Sequence, residues 1–166
     1  SADQTFELAD KHANLVAVKD SSGDARKLTA LIAGSATRAS KSRHGPSARI
    51  GAGIGALVGL DDCAVEGARM GACGWIAGLA NAMPAESVRL FNLAQSVQPK
   101  DIAECDALYR WFLPLLRLDT VPEFVQLIKL VMAETQTGDE RVRAPRQPLE
   151  GVERARAIEI IRHALR

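Results

Sequence analysis

The sequence has almost no net charge, because 21 Lys and Arg residues face 20 Asp and Glu residues, leaving a formal charge of +1. No global field favours a phosphate backbone or an anionic membrane surface, so we expect no nucleic-acid partner and no membrane partner. Long apolar runs are also lacking, since none approaches the roughly 20 residues that span a bilayer. Ser1–Gln4 has neither a basic leader nor an apolar signal core. We therefore expect a soluble intracellular protein.

Cysteine is scarce too. Cys63, Cys73 and Cys105 are odd in number and lack CxxC spacing, so the sequence predicts neither a disulfide framework nor a zinc site, and we expect buried apolar thiols. The three histidines lie far apart in sequence and indicate neither a metal site nor a Ser-His pair. Apolar residues make up 47% of the 166 positions and charged residues 25%, which is typical of a globular domain with a sizeable core.

Hydrophobic side chains are missing from one internal segment. From Gly34 to Arg49 the sequence contains no Leu, Ile, Val, Met or aromatic residue and no acid, while Ser, Ala and Gly alternate with basic residues. This composition predicts a solvated loop or a disordered insert at about residues 34–50. A basic patch for nucleic acid would normally include aromatic residues, and this segment has none.

Three short apolar runs separated by helical patterns predict parallel β/α units in the first part of the chain. The first run directly precedes Lys19 and a turn-forming string, after which Asp24 is a good helix N-cap. A short amphipathic helix, starting at Thr5 and ending near Asn14, precedes it, and Pro84 opens a helix after the third run. The three predicted strands are Leu15–Val18, Ala56–Gly59 and Gly74–Leu79.

After Pro99 the strand patterns stop and helical patterns take over. We therefore divide the chain into residues 1–98, three β/α units, and residues 99–166, a helical extension. The extension is predicted to contain a helix from Ile102 to Leu118 kinked at Pro114, a helix opened by Thr120 with Pro122 and closed by Gly138, an extended connection from Arg141 to Pro148, and a helix from Gly151 to Leu165.

Lys19 is the most informative single residue. Active sites of parallel α/β proteins lie at the carboxyl ends of the strands, and Lys19 follows a wholly apolar run. Desolvation there would favour the neutral amine, which can attack a carbonyl. The alternative is a lysine that caps the strand and extends to solvent.

Two other motifs are weaker. Gly51–Ala56 has the form GxGxxA of dinucleotide-binding loops, but that motif should follow a strand and open a helix, whereas here it leads into a strand. Asp61 and Asp62 are adjacent carboxylates that suit acid/base chemistry or a metal, although at a β-to-α turn such residues more often cap a helix.

Several strings together resemble one family. Asn14–Asp24 (NLVAVKDSSGD), Val58–Asp62 (VGLDD), Gly71–Asn81 (GACGWIAGLAN) and the helical tail are similar in order and spacing to the dihydrodipicolinate synthase / N-acetylneuraminate lyase family of class I aldolases. The resemblance implies an α/β fold, namely the C-terminal part of a (β/α)8 TIM barrel (strands six to eight) followed by three C-terminal helices. It also implies a cytoplasmic homo-oligomer, usually a tetramer, that needs no metal or organic cofactor.

By this resemblance Lys19 takes the position of the catalytic lysine that forms a Schiff base with pyruvate or another 2-oxo acid. Gly59 and Ile76 match substrate-binding positions where backbone groups contact the 2-oxo acid, and Asp61 and Asp62 are weaker candidates at the mouth. Within the family, aldolases or dehydratases of sugar-acid 2-oxo acids and a pyrroline-4-hydroxy-2-carboxylate deaminase fit equally well.

The chain also departs from this family. A complete barrel needs about 250 residues, and strands one to five are missing, with the family's carboxylate-binding loop and its proton-relaying tyrosine. Tyr109, the only tyrosine, lies in the tail. Leu118–Pro122 (LDTVP) differs from the Asn-Pro string of lysine-biosynthesis enzymes, and the insert at about residues 34–50 has no counterpart. The alternative function is therefore a non-catalytic remnant or an oligomerisation module.

Overall fold

The computed structural model describes residues 1–41 and 54–166. These residues form two compact units, Ser1–Ile76 and Ala77–Arg166. The first is an α/β unit and the second is helical. The division at residues 98 and 99 expected from the sequence stays a prediction.

The first unit alternates helices with three short strands. The strands pair in the order β1-β2-β3, and both pairings are parallel, which confirms the predicted β/α units. In chain order the elements are α1 Ala2–Lys11, β1 Ala17–Asp20, α2 Ala25–Lys41, β2 Gly55–Val58, a 3-10 helix Asp61–Cys63, α3 Ala64–Met70 and β3 Gly74–Trp75.

Burial along β2 shows where the core of this unit lies. Ala56 and Val58 are buried and belong to one apolar cluster with Leu28 and Leu31 of α2 and Phe6 of α1. Side chains alternate along a strand, so the residues between them point to the opposite face of the sheet. The helices therefore cover one face of the sheet, and that face holds the core.

The strand β1 begins two residues later than its apolar run. Leu15 donates its N–H to His12 O at 2.9 Å and so belongs to the turn after α1, and the first bond to β2 joins Gly55 N–H to Val16 O. Pairing with a neighbour, and not hydrophobicity alone, defines where the strand starts. The strand predicted over Leu15–Val18 was therefore placed two residues too early, and Lys19 lies inside β1.

The third predicted strand was too long. Only Gly74 and Trp75 pair with β2, Ile76 adds one N–H bond to Val58 O at 3.0 Å, and Leu79–Asn81 forms a 3-10 helix. β2 itself ends at Val58, and among residues 1–41 and 54–166 β3 pairs with no strand other than β2.

The loop predicted from residue 34 was wrong up to residue 41, because α2 continues through that segment. Alanine favours helix, and Gly34 allows close packing: a Cβ there would lie 2.4 Å from Phe6 Cε2. Arg38 forms an ion pair with Asp10 and lies over the Phe6 ring. The rest of the predicted insert, and Gly51 to Gly53 of the GxGxxA string, lie outside the described residues. Ala56 lies in β2, so the string does lead into a strand.

The second unit contains four helices among its described residues. They are α4 Pro84–Ala94, α5 Pro99–Leu116, α6 Phe124–Glu134 and α7 Gly151–Ala164, with 3-10 helices at Leu79–Asn81 and Arg117–Asp119. Three helices after residue 98 confirm the predicted tail, and Pro84 stands in the first turn of its helix as expected. The kink at Pro114 stays a prediction.

Two helix boundaries in the tail were wrong. Thr120 does not cap α6, because its hydroxyl donates to Arg117 O and so closes the preceding 3-10 helix, and α6 begins four residues later at Phe124. Gly138 does not end α6 either, since the helix stops at Glu134 and Thr135 bonds back to Val131 O. Within the part of the chain that the structure describes, no helix has the length and apolar character needed to cross a membrane.

Candidate active site at the carboxyl edge of the sheet

The carboxyl ends of the three parallel strands meet at one edge of the sheet. Lys19 is opposite Leu57, and Asp20 is opposite Val58, which in turn is opposite Trp75. Gly59 directly follows β2, and Ile76 directly follows β3. The register therefore brings Lys19, Gly59 and Ile76, the three site residues expected from the sequence, to the same edge.

Lys19 is exposed and its side chain passes close to Gly59. A Cβ built on Gly59 would lie 2.8 Å from Lys19 Cε, 2.6 Å from Asp20 O and 2.1 Å from Ser21 Oγ. Any side chain at position 59 would thus collide with the end of β1 and with the turn after it. A glycine at position 59 is therefore needed for β2 to approach β1 this closely. Atoms from the end of β1 and from the following turn occupy the place of its missing Cβ.

The turn after Lys19 is organised by one buried carboxylate. The Asp20 side chain is only 4% exposed, and its Oδ2 lies 2.7 Å from Nζ of Lys27 on α2. Its Oδ1 accepts the N–H of Ser22 at 2.9 Å and the Ser22 hydroxyl at 2.5 Å. Burial acts to raise the pKa of Asp20, but the hydrogen bonds from Lys27 and Ser22 and the Lys27 charge outweigh it, so the pKa lies below 3.8. Asp20 is therefore an anion at neutral pH.

A second buried carboxylate joins the other two strand ends. Asp61 is fully buried, and its Oδ1 accepts the indole N–H of Trp75 at 3.0 Å. A buried indole N–H requires such a partner, and the bond holds the 3-10 helix after β2 against β3. Asp61 lies in the packed interior, so its part at a substrate mouth stays a prediction that its burial does not favour.

Cys63 of this unit is not poised as a nucleophile. Burial, aided by the charges of Asp62 and Glu66, raises the pKa of the half-buried Cys63 thiol to about 11, and Cys63 therefore stays protonated at neutral pH. Cys73 is exposed, contrary to the expectation of buried thiols, and its Sγ donates to Ala56 O at 3.3 Å. Cys105 in the second unit is buried as expected. Among residues 1–41 and 54–166, no three His, Cys, Asp or Glu side chains gather as a metal site would require.

The supporting residues of this edge, Asp20 and Trp75, were not recognised from the sequence. Asp20 was assigned only to a turn-forming string, although an acid directly after a strand and a lysine in the first turns of the next helix can pair. Trp75 was treated only as part of a strand. The signal in each case is a polar group placed beside an apolar run, where burial demands a partner.

Comparison with known proteins places this fold. The model of the dihydrodipicolinate synthetase family matches residues 1–164. No curated protein sequence matches the chain significantly. The likeness to solved structures extends over nearly the whole chain, and it confirms the predicted fold class, the C-terminal part of a TIM barrel followed by helices.

Three solved structures illustrate this likeness. A putative dihydrodipicolinate synthetase from Pseudomonas aeruginosa is 20% identical with a TM-score of 0.76, and the match covers 99% of this chain and 50% of that one. The 4-hydroxy-tetrahydrodipicolinate synthase from Methylacidiphilum fumariolicum is 22% identical with a TM-score of 0.72, covering 99% and 48%. YagE, a prophage protein of E. coli K12 crystallised with pyruvate, is 21% identical with a TM-score of 0.73, covering 99% and 51%.

These matches share one property, which is that the chain spans about half the length of each solved structure. The matched half carries the parallel strands and the helical tail described above. With the family model matched from residue 1 to residue 164, this chain belongs to the dihydrodipicolinate synthetase family and corresponds to its C-terminal portion.

Proposed function

We propose that the chain carries the Schiff-base lysine of a class I lyase or aldolase that acts on pyruvate or a related 2-oxo acid. The observation that carries the proposal is the position of Lys19, an exposed amine at the same carboxyl edge of the parallel sheet as Gly59 and Ile76. Ligands of such sheets bind at this edge. The pyruvate bound to YagE supports the choice of substrate class.

The chemistry requires the neutral amine of Lys19. Its nitrogen attacks the ketone carbon of the 2-oxo acid, the carbonyl oxygen takes up a proton, and loss of water leaves an iminium on the lysine. The iminium accepts the electron pair released when the adjacent C–C bond breaks or when the adjacent carbon loses a proton, so an enamine forms. No metal or organic cofactor is needed for these steps.

Gly59 and Ile76 remain substrate-binding candidates with different roles. Ile76 N–H already donates to Val58 O, so a contact from Ile76 to a substrate would use its carbonyl or its side chain, which is 49% exposed. Gly59 acts by letting the Lys19 stem pass close to β2. The resemblance implies a tyrosine that relays protons, and Tyr109, the only tyrosine of the sequence, lies on α5 of the second unit.

The strand edges of the sheet favour a second candidate, a non-catalytic remnant or oligomerisation module. Within the described residues β1 and β3 are edge strands of a three-stranded parallel sheet, and unpaired strand edges promote association. In either case we propose a homo-oligomer in the cytoplasm, with no nucleic-acid partner.

Borohydride reduction in the presence of pyruvate separates the two candidates. The lyase proposal predicts a reduced pyruvyl adduct on Lys19, located by peptide mass mapping, and none on the exposed Lys11 and Lys100. Lys19→Arg keeps the charge but cannot form the iminium under these conditions, so it is the matched control and should lose the adduct completely. A wild-type chain without an adduct, or with equal labelling of all three lysines, would contradict the lyase proposal and favour the remnant.

A further inference from the structure

We propose that Asp20, paired with Lys27, is a positioning residue for Lys19. The proposal rests on the function proposed for Lys19 and extends it to a second pair of side chains. Asp20 is the residue directly after Lys19 in β1, and side chains alternate along a strand. Asp20 is accordingly buried while Lys19 is exposed.

The Asp20 carboxylate binds groups in two places, the turn after β1 and the helix α2. Toward the turn it accepts two hydrogen bonds from Ser22. Toward the helix layer it contacts Lys27 Nζ at 2.7 Å, and Lys27 lies in the first turns of α2. One side chain thus ties the end of β1, the following turn and α2 together.

The end of β1 and the following turn affect Lys19 at the point where both lie against Gly59. Asp20 O and Ser21 Oγ lie where a Cβ of Gly59 would be, and Lys19 Cε lies against the same point. If the turn moved outward, Ser21 Oγ and Asp20 O would leave the point beside Gly59 that Lys19 Cε approaches, and the Lys19 stem would be free to move into that space. Small displacements of a reacting group cost large factors in rate, so the pair formed by the buried Asp20 and the 41% exposed Lys27 controls where the amine of Lys19 sits.

A neighbouring ion pair provides a matched control. Arg26 binds Asp24 in the same turn, but the Arg26 side chain is 91% exposed and Asp24 is 42% exposed, whereas Asp20 is 4% exposed. Exposed pairs contribute little, while removing one partner of a buried charge leaves the other charge uncompensated. Lys27→Met should therefore disturb the edge, and Arg26→Met should not.

The test measures Lys19 in two independent ways on the full chain. The first is the rate at which trinitrobenzenesulfonate labels Lys19 relative to Lys11, which needs no substrate. We expect Lys27→Met and Asp20→Asn to move this ratio to the value of the urea-unfolded chain, while Arg26→Met and Lys27→Arg keep the native ratio. The second is the rate of borohydride-trapped pyruvate adduct, which should fall about tenfold in the first two variants at unchanged half-saturating pyruvate.

The outcomes separate this proposal from the function on which it rests. A shifted labelling ratio without any adduct in the wild type would retain the positioning role and refute the lyase. A native ratio and an unchanged adduct rate in Lys27→Met would overturn the positioning role alone. A wild-type labelling ratio equal to that of the unfolded chain would also overturn the positioning role. If Lys27→Met, Asp20→Asn and Lys27→Arg all unfolded, the pair would serve stability only, and the positioning role would again be overturned.

Discussion

The two units of this chain bury their side chains to different extents. Of the twelve largest fully buried side chains among the described residues, eight lie in the second unit, including Phe112, Leu116 and Ile161. The first unit has Leu31 and Val58 in its core, but Val16 is 52% exposed and Ile76 is 49% exposed at its sheet. The helical unit encloses its own core, while the sheet is covered on one face and presents Lys19 on the other.

This difference follows from the two kinds of secondary structure. A helix satisfies its backbone hydrogen bonds internally, so four helices can close a core with side chains alone. A parallel strand depends on neighbours at both edges and on cover at both faces. In this chain most of the largest fully buried side chains lie in the helical unit, and the candidate chemistry lies in the unit that has fewer of them.

The largest effect on this comparison should come from Phe112→Ala. Phe112 is fully buried and its ring stacks on Trp111 with centroids 5.3 Å apart, and removing such a side chain costs about 3–5 kcal/mol. Each unit has one tryptophan, Trp75 and Trp111, so single-tryptophan variants report each unit separately during urea unfolding. We expect the urea midpoint reported by Trp111 to fall by the amount that corresponds to this whole loss of stability, and the midpoint reported by Trp75 to fall by less.

Leu31→Ala is the reciprocal variant, because Leu31 is 1% exposed in the core of the first unit. It should move the Trp75 transition more than the Trp111 transition. Equal shifts at both tryptophans in both variants would show that the units unfold as one, and the comparison would fail.

A smaller effect is expected for Gly59→Ala in the first unit. The new methyl group would meet Ser21 Oγ, Asp20 O and Lys19 Cε at 2.1 to 2.8 Å, and overpacking of this kind costs about 1–3 kcal/mol. The Trp75 transition should shift accordingly, and adduct formation on Lys19 should fall. Gly138→Ala is the control from the second unit, since there the close atom is Met132 Cε, the end of a flexible side chain. A Gly59→Ala chain with native stability and native adduct rate would contradict the close approach.

The smallest effect is expected for Arg162→Met on the surface of the second unit. Arg162 donates a hydrogen bond to Glu134 at 2.7 Å. This bond and the charge of Arg162 lower the pKa of Glu134, and they outweigh the partial burial that acts to raise it, so the pKa stays below 4.5. Because the folded pKa is lowered, the stabilisation is present above the ordinary pKa of Glu134 and is lost as the pH falls through the folded value.

At neutral pH we therefore expect a slight, salt-sensitive loss of stability in Arg162→Met, as for exposed ion pairs in general. The wild type and the variant should become equal in acid. Urea unfolding followed at Trp111 across pH measures this. A difference that persisted at pH values below the folded pKa would show that Arg162 acts by packing and not by its charge.

Local patterns predicted most of the elements but not their limits. The apolar run before Lys19 correctly indicated a strand, yet its start depended on Gly55 bonding to Val16. The lack of hydrophobes after Gly34 suggested a loop, and the helix nevertheless continued, because alanine favours helix and Gly34 packs on Phe6. Thr120 has the chemistry of an N-cap and closes a 3-10 helix instead.

The residues of the candidate site also differ in how far the sequence indicated them. Lys19 could be singled out from the sequence because it follows an apolar run, whereas Gly59 and Ile76 were candidates through the family resemblance alone, and the roles of all three stay predictions. The role of Asp20 was missed: an acid directly after a strand is a weak signal for a partner, and the structure was needed to show that this partner is Lys27, seven residues away on α2, and that the Asp20 side chain is only 4% exposed.

Residue types and their spacing along the chain were enough to predict the order of strands and helices and the parallel β/α arrangement. The resemblance to a known family singled out Lys19 as the candidate Schiff-base amine, and that role stays a proposal. The strand register, the burial of Asp20 and Asp61 and the passage of the Lys19 stem over Gly59 became visible in the folded chain alone. Those features depend on contacts between segments distant in sequence, and such contacts are set by packing and hydrogen-bond pairing.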